Sequence, residues 1–142
     1  MKVREYQKGD AFNGYTAKEP LVCNKFLDET AILNNPGWTI LDNNDKIIAS
    51  GGAIRLWPGV GEIWMLVRQD LKDYRISFVK IAKLKHRELV ERYGMIRLQA
   101  IVNIDFAEGI TMARMFGFRC EGYLHCFLPN GGDALIFASI GV

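Results

Sequence analysis

No apolar run in this chain approaches the roughly 18 residues needed to cross a bilayer, so a membrane-spanning helix is excluded. Cysteine is scarce. The three that occur, Cys23, Cys120 and Cys126, are odd in number and never in CxxC spacing, which argues against a disulfide framework or a zinc site. A reducing compartment follows, and the expected location is the cytoplasm. Residues 1–6, Met-Lys-Val-Arg-Glu-Tyr, have no apolar core and do not read as a secretory signal. The two serines at sheet positions, Ser50 and Ser139, lack a nucleophile-elbow context, which leaves a hydrolase without support. Net charge is only +2, too little to argue for a nucleic-acid partner. Trp38, Trp57 and Trp64 are scattered, without the aromatic and basic interleaving of single-strand binders, so nucleic acid is not an expected partner.

What is present is an ordinary globular composition, 49% hydrophobic and 24% charged over 142 residues, one domain's worth of chain spanning 1–142. Charge is unevenly placed. Residues 72–92 hold seven basic side chains against three acidic ones, a local excess of +4 on one helix-sized stretch. It reads as a solvated face or as a contact for phosphate.

Periodicity gives the elements. Residues 2–6 read as a strand, and Asp10 as the cap of a short helix from Ala11. Apolar spacing over 21–33 predicts a helix stopped by Asn34-Asn35-Pro36-Gly37. Residues 38–41 and 46–56 flank Asp42-Asn43-Asn44-Asp45, a hairpin by its turn chemistry. Gly51-Gly52 inside the second strand implies a bulge or a close backbone approach. After the turn at residues 57–61, a third strand covers 62–67. Residues 72–93 then take the helical period, with Val79, Ala82, His86, Leu89, Val90 and Tyr93 on one stripe and Gly94 as end cap.

A strand over 95–102 follows that helix, and such a crossover joins parallel strands. A short helix over 106–116 closes at Gly117, and a last hairpin pairs 118–127 with 134–140. Alternation along 118–127 puts Glu121, Tyr123 and His125 on one face, and Cys120 and Cys126 together as small core residues. The fold class is therefore α/β (α+β): a mixed, mainly antiparallel sheet flanked by helices, with one parallel pair.

That order resembles the GNAT (Gcn5-related N-acetyltransferase) superfamily. The most specific likeness is the stretch from Asn103-Ile104-Asp105-Phe106 through Met115-Phe116-Gly117-Phe118, a strand, an asparagine, a short helix and a closing Gly-Phe. Gly51-Gly52, Trp64, the basic helix and Asn103 are also similar to the GNAT-like internal virion proteins of short-tailed bacteriophages. The resemblance implies that the parallel pair splays into a cleft for acetyl-CoA, with an amine as acceptor. Backbone amides at Met65, Leu66 and Val67 would hold the pantetheine arm and polarise the thioester. The pyrophosphate turn would fall at residues 68–77. There Gln69 matches the family, Lys72 and Tyr74 stand in place of glycines, and Lys72, Arg75 and Ser77 could substitute for them. Asn103 would line the same cleft.

The family's thiolate-protonating tyrosine lies four residues before the helix-ending glycine. Ala113 stands there, and Tyr123 is the candidate replacement acid. Glu62 is the first candidate base, on one strand face with Trp64 and Leu66, where an aromatic neighbour would raise its pKa. His125 is a weaker candidate base, and His86 reads as a packed, hydrogen-bonded histidine. Two functions follow: an acetyl-CoA-dependent N-acetyltransferase, or a catalytically inactive GNAT-fold phage protein that binds a phage or host protein.

Overall fold

The turn chemistry at Asp42 is the clearest case of sequence dictating local structure. Its Oδ1 accepts the N–H groups of Asn44 and Lys46 at 2.8 and 3.0 Å, and Asp45 takes φ 63°. Asparagine and aspartate tolerate that left-handed region, so the chain reverses there. The computed structural model describes residues 1–11, 28–67 and 71–141, with the backbone alone at Leu71 and Lys72. The hairpin joins β2 (Gly37–Leu41) to β3 (Ile47–Trp57), and β3 turns into β4 (Val60–Val67). With β1 (Lys2–Glu5), β5 (Arg97–Asn103), β6 (Arg119–Leu124) and β7 (Ala134–Ile140) they form one seven-stranded sheet, ordered β1-β2-β3-β4-β5-β7-β6. Every pairing is antiparallel except β4 with β5. This is the mixed sheet the element order predicts.

Among the described residues three α-helices accompany it: α1 (Glu29–Leu33), α2 (Arg75–Glu91) and α3 (Ala107–Met115). Asp28 caps α1, its Oδ1 accepting the Thr30 N–H at 3.0 Å. The helix expected over 21–33 is thus seen from residue 29, and its earlier part, like the helix expected from Ala11, lies outside the described residues. α2 begins later than its period suggests, because a 3₁₀ turn (Leu71–Tyr74) takes up the first residues. It is most deeply buried at Phe78 and Leu89, each 2% exposed. Phe78 is absent from the expected stripe.

Each face of the sheet has its own core. Facing α2 and α3, Ala53, Leu98, Ala100, Val102 and Phe137 pack with Leu89 and Ala113, while Phe78 covers Ile40, Ile48 and Ala49. On the opposite face Tyr6, Ile32, Trp64 and Leu66 cluster, with Tyr6 and Trp64 edge-to-face at 5.5 Å. Gly52 marks a close backbone approach and not a bulge. A Cβ there would stand 2.2 Å from the Pro36 carbonyl oxygen, and the pairing of β3 runs unshifted through it. Ala53 donates its N–H to that same oxygen at 3.0 Å.

Several expectations need correction. The helix expected after Asp10 lies outside the described residues, and Asp10 itself is bound to the sheet. It is buried, and its carboxylate accepts from Arg4, from Thr39 and from the Gln7 N–H. Cys120 and Cys126 are both exposed. A register shift between Cys120 and Gly122 breaks the alternation of β6, and the strand ends at Leu124. Cys126 then sits in a turn at φ 54°. The same shift separates Glu121 from Tyr123. Glu121 reaches Arg97 on one face, whereas Tyr123 stands opposite Leu135 and shares the α3 face. His86 packs against Phe118, with ring centroids 5.6 Å apart, but its buried Nε2 has no hydrogen-bond partner among the described residues.

Candidate functional site

The parallel pair is held together at one end only. Val60, Gly61 and Glu62 are in register with Arg97, Leu98 and Gln99, and the pairing stops there. Beyond that point β4 stays paired to β3 as far as Val67, and β5 stays paired to β7 as far as Asn103. Each strand is therefore anchored on its outer edge while the inner edges part. At the closed end a Cβ on Gly61 would already meet Met95 Sδ and Leu98 Cδ2 at 3.2 and 3.3 Å. At the open end Met65, Met112 and Phe116 pack beneath the same sheet face. Successive strand amides point alternately to either side. Over Ile63–Val67, every second N–H of β4 is turned to the β5 side with no strand in register. Met65, Leu66 and Val67 lie in this stretch.

Glu62 sits where the strands begin to diverge. Its Oε1 accepts from Gln99 Nε2 at 3.2 Å, across the last register pair. Gln99 Oε1 in turn accepts from Arg97 Nε at 3.1 Å, and Arg97 grips Glu121 with two bonds of 3.0 and 2.6 Å. The guanidinium bond holds the Glu121 carboxyl below its usual range, and Glu121 raises Arg97. A polar chain thus runs from the mouth of the slot across to β6. Gln99 and Arg97 carry no signal of this in the sequence, because their meeting with Glu62 depends on strand register. Trp64 and Leu66 share the face of Glu62, as alternation predicts, but both are buried in the core.

At the other end of the slot, α2 starts at Tyr74 with no side-chain cap and no acidic residue in its first turn. Arg75 and Ser77 are exposed there. Asp73 of the preceding 3₁₀ turn adds a negative charge that opposes an anion. The backbone of Lys72 belongs to that turn, and Gln69 lies outside the described residues. Tyr74 packs against the Ile40, Ile48, Ala49 and Phe78 cluster. Asn103 closes β5, and its Oδ1 accepts the Asp105 N–H at 2.9 Å, which turns the chain into α3.

Tyr123 is not brought to this place. Its pairing runs through Leu135 to Val102, two strands across, on the order of 10 Å at the usual strand spacing. Its hydroxyl donates to Asp133 Oδ2 at 2.6 Å, a bond that raises its pKa. His125 stacks on Tyr123 at 4.4 Å, in the turn after β6. Ala113, where the family places its acid, is 4% exposed and faces the core.

No family model and no curated protein matches the chain. Solved structures do. A putative phosphinothricin N-acetyltransferase is 10% identical over 99% of this chain and 98% of its own, with a TM-score of 0.72. The F149A mutant of spermidine N-acetyltransferase from Vibrio cholerae is 12% identical over 99% and 95%, with a TM-score of 0.71. Ribosomal-protein-S5-alanine acetyltransferase from Vibrio fischeri is 17% identical, with a TM-score of 0.67 over 75% of this chain. The match spans 62%, less than two thirds, of that longer protein. At such identities the likeness is one of fold: the chain has the GNAT fold. Among the described residues no helix is long and apolar enough to cross a membrane.

Proposed function

We propose that the chain is an acetyl-CoA-dependent N-acetyltransferase, moving an acyl group directly to an amine. The observation that carries this is the parting of β4 from β5 after Glu62, which leaves amides of β4 without a strand partner. The donor would supply a thioester, whose C–S bond breaks as the amine nitrogen forms its C–N bond. Those amides of the Met65, Leu66 and Val67 stretch that are turned to the parted side hold the arm of the donor and the carbonyl oxygen as it gains charge. Each donor so aimed is worth about 3–4 kcal/mol. Arg75 and Ser77, with Lys72 and Gln69, take the phosphates at the start of α2, and Asn103 borders the slot. Glu62 receives the proton that the amine gives up, directly or through water, and Gln99 holds the carboxylate for that task. The departing thiolate is protonated from solvent, since Tyr123 is remote and bonded to Asp133.

A second reading has its own observation. Ala113 is buried where the acid would stand, and Lys72 and Tyr74 replace the glycines that let a phosphate approach. On that reading the chain is a catalytically silent GNAT-fold module that binds a protein partner, of phage or host. Isothermal titration with acetyl-CoA separates the two. Heat of binding at millimolar ligand or below supports the transferase, and folded protein that gives none leaves the module.

A further inference from the structure

The face of the sheet under α2 is not completely filled. A cavity of about 80 Å³ lies over Ala49 and Gly51, beside Met65, and is roofed by Phe78, Ala82 and Phe116. It exists because three small residues, Ala49, Gly51 and Ala82, meet across the same gap. Protein interiors are otherwise close-packed, so a hole of this size calls for an explanation. Its walls are almost wholly apolar, with Lys85 a charged residue among those that line it, and they favour an apolar occupant. His86 also lines it, and the buried Nε2 of that residue has no partner among the described residues. The protein's own groups thus leave the space both unfilled and unsatisfied.

Position ties the cavity to the slot. Ile63, Trp64 and Met65, the first three residues of β4 beyond the last register pair with β5, all line it. The same stretch of β4 thus borders the slot along its edge and the cavity on its α2 side, within reach of an acyl group whose carbonyl is held by these amides.

Resting on the transferase reading, we infer that this cavity seats the acyl chain, and that the preferred donor is a short-chain acyl-CoA longer than acetyl. A space about half that of the roughly 150 Å³ cavity known to hold benzene takes two or three methylenes, at about 30 Å³ for each small group. Counted from the carbon next to the carbonyl, that corresponds to a propionyl or butyryl chain. Each methylene moved from water into an apolar site tightens binding about fourfold.

The test is titration of the full chain with CoA, acetyl-CoA, butyryl-CoA and octanoyl-CoA. Butyryl-CoA should bind about tenfold or more tighter than acetyl-CoA, and octanoyl-CoA should lose that gain because the cavity ends. Ala82→Leu, which fills the roof, should erase the butyryl preference. If that variant does not fold, the chain-length series on the unaltered protein decides alone. CoA binding with acetyl and butyryl donors equal would overturn the acyl seat and leave the transferase reading standing. No binding of CoA in any form would overturn both.

Discussion

Two carboxylates lie on the same face of the sheet, and they are treated in opposite ways. Asp10 is buried and saturated. Arg4 bonds both of its oxygens at 2.6 and 3.0 Å, and Thr39 and the Gln7 N–H add bonds of 2.6 and 2.8 Å. Thr39 extends the network to Ser50 at 3.0 Å. Glu62 is half-buried and takes a single bond, from Gln99, with no partner for its second oxygen among the described residues. A buried carboxylate held by four hydrogen bonds serves to hold the fold together. One with capacity to spare, at the mouth of a parted strand pair, can accept a proton from something else.

The sharpest way to break that contrast is Glu62→Gln. It keeps the shape and the contact with Gln99, so stability should move by less than about 1 kcal/mol. Acyl transfer to an amine should fall by about 10²–10⁴ and lose its base-dependent limb in the pH–rate profile. A profile that keeps its shape would remove Glu62 from the reaction. The reciprocal change, Asp10→Ala, should leave CoA affinity alone and cost about 3 kcal/mol in urea unfolding. It strands Arg4 and Thr39 without their acceptor. A loss below about 1 kcal/mol would show that the Asp10 network is not structural.

Protons sharpen the comparison further. Burial pushes the Asp10 carboxyl up, but the bonds from Arg4, Thr39 and the Gln7 N–H together outweigh it and hold the group below its ordinary 3.8. Its stabilisation is present above that value and drains away as pH falls beneath it. Burial also lowers His86 from 6.5. The unfolded chain takes up that proton first, so a separate loss of stability begins as pH falls below about 6.5. Tyr6, in contact with Trp64 and bonded to Ala11 and Glu29, is pushed up to about 12, mainly by burial. Its contribution is full below pH 10 and is lost as pH rises from there toward 12. Urea midpoints across the pH range should therefore fall on both sides of neutrality. In His86→Phe the step beginning near 6.5 should vanish while the one beginning near 4 remains. Persistence of the first step in that variant would detach it from His86.

The fold was legible where one element decides its own shape. Asp42 and its neighbours specify the first hairpin, Gly94 and Gly117 follow two helices, and a helix between two strands specifies the parallel pair. What stayed hidden depends on pieces distant in sequence. Asp10 looks like a cap until Arg4 and Thr39 are beside it. The shift at Glu121 sends two apparently equivalent residues to opposite faces, because alternation assumes an unbroken ladder and no residue there announces the break. For the candidate site, the slot was expected from the family resemblance, and Glu62 from its place at the start of the third meander strand. The polar chain through Gln99 and Arg97 did not, since it exists only in one register of β4 against β5.

That register offers the finest discrimination. If Gln99 serves Glu62 by fixing its carboxylate, Gln99→Leu removes one hydrogen bond to a charged group. Such a bond is worth about 1.5–3 kcal/mol at most, and solvent at this half-exposed position reduces it. Acyl transfer should then slow by about tenfold or less, far short of the loss in Glu62→Gln. The decisive measurement is the double variant. Residues acting as a unit are not additive, so Gln99→Leu added to Glu62→Gln should slow the reaction no further. A second tenfold loss in the double variant would mean that Gln99 meets the substrate on its own account. The outward chain to Arg97 and Glu121 would then be a brace for the strand, with no part in holding the base.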